Sequence, residues 1–282
     1  MKDKGKRTTK AVIVCADDFA VHAGASRGIA ALARAGRISA TSVMVLSPGW
    51  PEDVALLKDL PHPIDVGLHL DWTSEFALAS GHGLRLGAAM LKALCGGFAG
   101  GTSTAQTRGV IERQLDAFEA HWKAPPDYVD GHQHVQQFAG IREALMQALA
   151  KRYGSGARSK PYLRVSRAPV GHADLKSRVI AAMGAPALEK LAADAGLPVA
   201  AALLGVYDFA GDENRYGALM EGWLQAAPAY SIIMCHPAQD APLQDTIGAA
   251  RQREFAYLGG AQFSAVLERA SVRIVRGISI DR

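Results

Sequence analysis

The alternation of apolar and polar positions divides the chain into eight short apolar runs, near 11–16, 42–46, 64–70, 127–130, 161–165, 203–207, 231–235 and 272–276. Most are rich in Val, Ile or Leu with few polar interruptions, the pattern of strands covered on both faces. Helical periodicity fills many of the gaps. Ala23–Ala35 is Ala-rich and stops at Gly36, a residue suited to a helix C-terminus. Thr107–Trp122 sets Val110, Ile111, Leu115, Phe118 and Trp122 on one face. Ile141–Tyr153 repeats the signal, and Arg253–Ala270 precedes the last run. Strands alternating with helices imply a parallel sheet. Eight of them predict an α/β fold, a single irregular (β/α) barrel domain over residues 11–282.

Two segments depart from this rhythm. Ser74–Thr104 contains Gly96-Gly97-Phe98-Ala99-Gly100-Gly101 and reads either as a lid or as a flexible surface loop. Asp174–Leu204 is rich in Ala and Leu. It reads as one helix over Leu175–Ala195, a Gly-Leu-Pro break and a further apolar stretch. Core packing is the default use of such a segment, and a greasy wall for a lipid-like substrate is the sharper one.

Polar chemistry gathers where the apolar runs end. Val12-Ile13-Val14 leads into Asp17-Asp18, Ile64–Leu68 into His69, Tyr128-Val129 into Asp130-Gly131-His132-Gln133-His134, and Ile232-Ile233-Met234 into Cys235-His236-Pro237. The C-terminal strand ends of a parallel α/β sheet converge on one face, where active sites lie. Two carboxylates and several imidazoles delivered to one place suit a mononuclear metal hydrolase.

Charge alters the picture little. The formal net charge is +4, and residues 1–10 hold five of the 31 basic side chains and one of the 27 acidic ones. The remainder is balanced, so the pI of 9.0 reflects a disordered basic tail at 1–10 and not a nucleic-acid-binding face. That tail offers at most a weak peripheral contact with anionic lipid. No apolar run approaches the ~18 residues of a membrane span. Cys15, Cys95 and Cys235 are odd in number and far apart, which fits a reducing, cytoplasmic compartment.

Each motif suggests a division of roles. Side chains alternate along an extended chain, so of Asp17 and Asp18 one can bind a metal while the other faces the substrate. His132 and His134, two apart on an extended segment, would share a face, and either ring could ligate. Asp130 is a candidate acceptor for an imidazole's second nitrogen. Pro237 stops strand pairing and exposes His236, a candidate general acid. Arg164 would orient Asp17 and tune its basicity, a part Arg167 could also fill.

These motifs, in this order, resemble the YdjC-like (ChbG) carbohydrate deacetylases, over about residues 11–276. The resemblance implies a fold like that of the NodB-type polysaccharide deacetylases and hydrolysis of an N-acetyl group from N-acetylglucosamine with one divalent metal ion, whether Zn, Mg, Co or Ni. By position it implies Asp18, His69 and His132 as ligands, Asp17 as base and His236 as acid. Two positions differ from the common family pattern. Ala20 stands where Gly usually follows Asp-Asp-Phe, and Gln136 stands where a third His often ends an Asp-x-His-x-His-x-His motif. Gln136, with Gly205-Val206-Tyr207-Asp208-Phe209, is more similar to the hopanoid-associated HpnK branch, which implies a lipid-linked N-acetylated amino sugar as substrate. An ordinary chitooligosaccharide deacetylase, a metallo-phosphoesterase and a non-catalytic carbohydrate- or lipid-binding barrel are the rival readings.

Overall fold

The structure is a computed structural model that describes residues 9–154 and 160–280. All eight expected strands are present: β1 Lys10–Phe19, β2 Ala40–Val43, β3 Asp65–Leu70, β4 Tyr128–Gly131, β5 Tyr162–Leu163, β6 Leu203–Leu204, β7 Ser231–Cys235 and β8 Val272–Ile274. They form one parallel sheet in the order β5-β4-β3-β2-β1-β7-β6. The curled sheet almost closes. Leu163 bridges to Val199, just before β6, with its N–H on Pro198 O (2.9 Å) and its carbonyl accepting from Ala200 N (3.2 Å). β8 is not the eighth stave that counting suggests. It pairs with Lys10–Val12 at the start of β1, whereas β2 pairs with Cys15–Phe19 further along.

Both faces of the sheet are buried, which is why the strands read as unbroken apolar runs. Along β1, Val12, Val14 and Ala16 join the large core shared with the helices, while Ile13 and Cys15 join a smaller interior cluster with Tyr128, Tyr162, Leu203 and Ile232. Gly67 on β3 permits this inner packing, because a Cβ there would lie 2.4 Å from the Tyr128 ring.

The helices are α1 Ala23–Arg34, α2 Trp50–Lys58, α3 Glu75–Ala79, α4 Leu86–Leu94, α5 Gly101–Trp122, α6 Ile141–Tyr153, α7 Leu175–Ala182, α8 Ala185–Asp194, α9 Glu213–Ala226, α10 Gly248–Gly259 and α11 Ala261–Ala270. The segment expected as a lid or loop is mostly helical, with α3, α4 and the first turn of α5. The single helix expected over Leu175–Ala195 is two. Gly184, at φ +136°, breaks it, and its hydrogen-only side chain lets Gln137 O approach. Arg253–Ala270 is likewise divided, at Gly260. The basic tail lies outside the described residues except for Thr9 and Lys10. Lys10 belongs to β1, and its Nζ donates to Leu224 O at 2.8 Å.

The N-terminal end of the sheet carries its own polar knot. Asp65 is fully buried, accepts from Arg276 Nε (2.7 Å) and lies beside Asp127, whose Oδ2 accepts from Val66 N–H (2.8 Å). Burial, then repulsion from Asp65, pushes the Asp127 carboxyl up to about 6 against the opposing pull of Val66 N–H and Arg276. A folded value above the unfolded one stabilises fully at low pH, and that contribution is lost as pH rises through about 6. Asp127→Asn keeps an acceptor for Val66 and removes the charge. In urea titrations it should be more stable than the parent by about 2 kcal/mol at neutral pH, with the difference shrinking towards pH 4. A difference independent of pH would contradict this account of the knot.

Candidate metal centre and active site

The site lies at the C-terminal ends of β1, β3, β4, β5 and β7, and its first element is an irregularity in β1. Ala16 pairs with Thr41 and Phe19 with Val43, so β1 spends one residue more than β2 over that interval. Such a bulge re-aims side chains. Asp17 continues the inward face set by Ile13 and Cys15. Strict alternation would turn Asp18 away, but its backbone is left-handed, at φ +66°. Both carboxylates therefore line one cavity of about 410 Å³, with His69, His132, His134, Arg164, His236 and Arg251. The expectation of simple strand alternation is thus corrected at this pair. Ala20 is also left-handed, at φ +72°, which explains in conformational terms the value of a glycine there.

Asp18, His69 and His132 bring donor atoms within 4.8 Å of one another. Asp18 Oδ1 lies 3.4 Å from His69 Nε2 and 3.3 Å from His132 Nδ1, yet is buried without a hydrogen-bond partner of acceptable geometry among the described residues. Its other oxygen accepts from Arg251 Nη2 at 2.7 Å, and Arg251 Nε donates in turn to Asp245 at 2.8 Å. Burial raises the Asp18 carboxyl, but Arg251 and the two imidazoles overcome this and hold it well below the usual carboxylate range. His69 Nδ1 is 2.6 Å from Asp130 Oδ1, an arrangement that fixes the ring and turns Nε2 towards Asp18. An unsatisfied carboxylate oxygen flanked by two imidazole nitrogens suits a divalent cation. The donor set of two nitrogens and one oxygen matches first-row ions better than magnesium.

A second group, Cys15, Asp17 and Asp130, also has ligand atoms close together. It already surrounds a cation. The buried Arg164 guanidinium donates to Asp17 Oδ1 (2.6 Å) and Oδ2 (2.8 Å), and its Nη1 is 2.9 Å from Asp130 Oδ2. Burial would raise the Asp17 carboxyl, but Arg164, then His69 and His236, hold it below the ordinary range. Ser42 Oγ donates to Asp130 Oδ2 at 2.6 Å and neighbours Tyr128 OH at 2.8 Å, completing the support.

His236 follows β7, with Nε2 4.0 Å from Asp17 Oδ2. Its backbone N–H donates to the buried Glu254 (2.5 Å), its ring meets Phe209 edge-on at 5.2 Å, and its buried Nδ1 has no partner among the described residues. The two histidines of the Asp130 motif part company. The segment after Gly131 is a 3-10 turn with Gln133 and His134 left-handed, and not an extended stretch. His132 joins the acidic cluster. His134 Nδ1 turns to Ser166 Oγ (2.9 Å), and burial followed by Arg164 pulls its ring down to about 3. His134 still lines the cavity, whereas Arg167 does not, pairing instead with Glu189 at 2.6 Å. Gln136 is fully buried and donates to Arg164 O (2.9 Å), so it supports the floor of the site and does not line the cavity. Arg251 and Glu254 were not singled out by sequence reasoning. They lie inside α10, where a single Arg or Glu among ordinary helix formers carries no signal.

Much of the cavity's remaining wall is apolar, with Lys176 of α7 and the polar Gln133, Asp245 and Thr246 among it. Leu86 and Met90 come from α4, Val179, Ile180 and Met183 from α7 and its end, and Val206, Tyr207 and Phe209 from the segment after β6.

A family model described as YdjC-like protein matches residues 11–269. A chitooligosaccharide deacetylase of Proteus mirabilis (strain HI4320) is 30% identical over 131 residues, 46% of this chain and 51% of that protein. A carbohydrate deacetylase of Mus musculus is 30% identical over 148 residues, 49% of this chain and 46% of that protein. The chain thus spans about half the length of these curated relatives. A crystal structure from Enterococcus faecalis V583, of a protein provisionally assigned to cellobiose-phosphate cleavage, shares the fold. It has a TM-score of 0.71 at 17% identity and covers 96% of this chain and 99% of that one. The family match runs from the second residue of β1 to the penultimate residue of α11, taking in every strand end that builds the site, and on it the chain belongs to the YdjC-like protein family.

Proposed function

We propose that this chain is a metal-dependent carbohydrate N-deacetylase that releases acetate from an N-acetylglucosamine unit. One observation carries the reading: adjacent carboxylates are separated into two environments, Asp18 with an unsatisfied oxygen between two imidazoles and Asp17 clamped by a buried arginine. The family membership and the names of the relatives support the same chemistry. Asp18, His69 and His132 would hold the ion. A divalent ion held there would polarise the acetamide carbonyl and acidify water.

Asp17 acts as the general base. Arg164 keeps it ionised, so it is always able to accept a proton. The same cation weakens it as a base, which suits a water whose acidity has already been raised. His236, with Nε2 4.0 Å from Asp17, acts as the general acid and protonates the departing amine. Arg164 is a positioning residue for Asp17 and Asp130. Water attacks the acetyl carbon, its proton passes to Asp17, and cleavage of the C–N bond gives acetate and the free amino sugar. Residues 11–282 work as one catalytic unit in this reading. The free cysteines, of which Cys15 and Cys235 are buried, support placement in the cytoplasm.

For the substrate we favour a lipid-linked amino sugar over a chitooligosaccharide. The apolar cavity wall from α4, α7 and Val206–Phe209 supports this. Gln136 no longer bears on the choice, since it does not reach the cavity.

Two substitutions separate binding from turnover. Asp17→Asn should retain close to the parent's metal content, measured by elemental analysis after dialysis, and lose on the order of 10²–10⁴ in acetate release. Asp18→Asn should lose the metal itself. Chelation of the parent should stop acetate release, and added zinc or cobalt should restore it. Near-parental turnover by Asp17→Asn would remove it as the base, and a chelator-insensitive parent would remove the metal.

Substrate choice is read from kcat/KM for matched N-acetylglucosamine amides, one bearing a polycyclic aglycone and one a second sugar. Each well-buried methylene contributes roughly 0.8 kcal/mol. The aglycone substrate should therefore be faster wherever that energy helps position the acetamide in the transition state. A faster disaccharide would replace the lipid-linked reading with chitooligosaccharide deacetylation.

A further inference from the structure

Helix α4 packs Leu86 and Met90 partly against the core but leaves two further leucines to water. The residues it buries are Ala89 and Ala93, while Leu91 and Leu94 are 62% and 84% exposed. A solvent-facing helix normally turns its large apolar side chains inward. Helix α7 buries Ile180 but likewise leaves Leu175 and Val179 76% and 50% exposed. The two helices face one another. Met90, Ala93 and Leu94 form one wall of a groove whose other wall includes Val179, Ala182 and Met183. Met90, Val179 and Met183 also line the site cavity, so the exposed apolar surface adjoins the mouth of the site.

Along α4 and α7 themselves every charged side chain is basic, although Asp174 caps the start of α7 and Arg142 at the groove pairs with Glu143. No Asp or Glu occurs between Glu75 and Glu112, or between Asp174 and Glu189. Over those same stretches Arg85, Lys92 and Arg178 are exposed. Leucines interleaved with cations, with the exposed Asp174 cap of α7 as an acidic exception, suit an interface of acyl chains and anionic headgroups. A second copy of the chain suits it poorly, because a two-fold contact would set this patch against itself and bring like charges together.

We infer that the α4–α7 rim docks on an anionic lipid surface, with Leu91, Leu94, Leu175 and Val179 in the headgroup boundary and the site mouth turned towards the bilayer. The inference stands on the surface and not on the chemistry proposed for the site, so neither fails with the other. It differs from contact through the basic N-terminal tail, and the two are separable.

The test is cosedimentation of the full chain with vesicles of phosphatidylcholine alone or mixed with phosphatidylglycerol. The parent should pellet with the mixed vesicles and release as salt is raised. Leu91→Glu combined with Leu94→Glu should weaken that binding at least ~tenfold, since two anchoring side chains become anions facing anionic lipid. The double variant's melting temperature and metal content should remain those of the parent. A chain lacking residues 2–8 should still bind. A parent that stays in the supernatant overturns the proposal. So does binding that disappears with residues 2–8 and survives the double substitution. If light scattering shows the double substitution converting a dimer to a monomer while vesicle binding is unchanged, the rim is a subunit interface instead.

Discussion

The buried guanidinium of Arg164 is the interaction on which the rest of the site depends. It sits among Asp17, Asp130 and the Cys15 thiol with about 1% of its surface exposed. Burying a charge is tolerable only when it is paired and hydrogen-bonded, and removing one partner of such a pair commonly costs 3–5 kcal/mol. The arrangement ties three strands together at their C-terminal ends. β1 supplies Asp17, β4 supplies Asp130, and Arg164 follows directly on β5. Because Asp130 also holds His69 Nδ1, the orientation of a candidate metal ligand is set indirectly by the arginine. The carboxylates nearest the arginine are thereby occupied, and the free oxygen is left to Asp18.

The bulge in β1 turns this into a division of labour. In a regular strand, Asp17 and Asp18 would point to opposite faces of the sheet, and only one could reach the cavity. One extra residue and a left-handed backbone at Asp18 bring both inward without bringing them into the same environment. Each carboxylate then has its own arginine, Arg164 for Asp17 and Arg251 for Asp18. A non-glycine residue held at positive φ costs of order 1–2 kcal/mol, and such strain tends to persist at functional positions.

Much of this was legible in the sequence, for a physical reason. Strands covered on both faces must be apolar throughout, so the eight runs and the polar residues that end them stood out, and the structure brings Asp17, Asp18, His69, His132, Arg164 and His236 to one cavity. Pairing partners were not legible, since an apolar run carries no record of its neighbour. The position of β8 beside the start of β1 therefore had to come from the structure. Backbone irregularity was hidden as well. Neither the left-handed Asp18 nor the left-handed Gln133-His134 turn is marked by glycine, and so both segments read as extended. Arg251 and Glu254 were invisible because a helix brings them to the site from far along the chain. Conversely, Gln136 looked like a substrate signal and is a buried donor to the Arg164 carbonyl.

In the proposed reading the two clusters at the strand ends hold different cations: a divalent ion would sit among Asp18, His69 and His132, while the Arg164 guanidinium sits among Asp17, Asp130 and Cys15. Anomalous diffraction from crystals grown with zinc tests it most directly. One strong peak is expected, bounded by Asp18, His69 and His132, with Arg164 still in place between Asp17 and Asp130. A peak among Cys15, Asp17 and Asp130 with the arginine displaced, or no peak at either cluster, would contradict it.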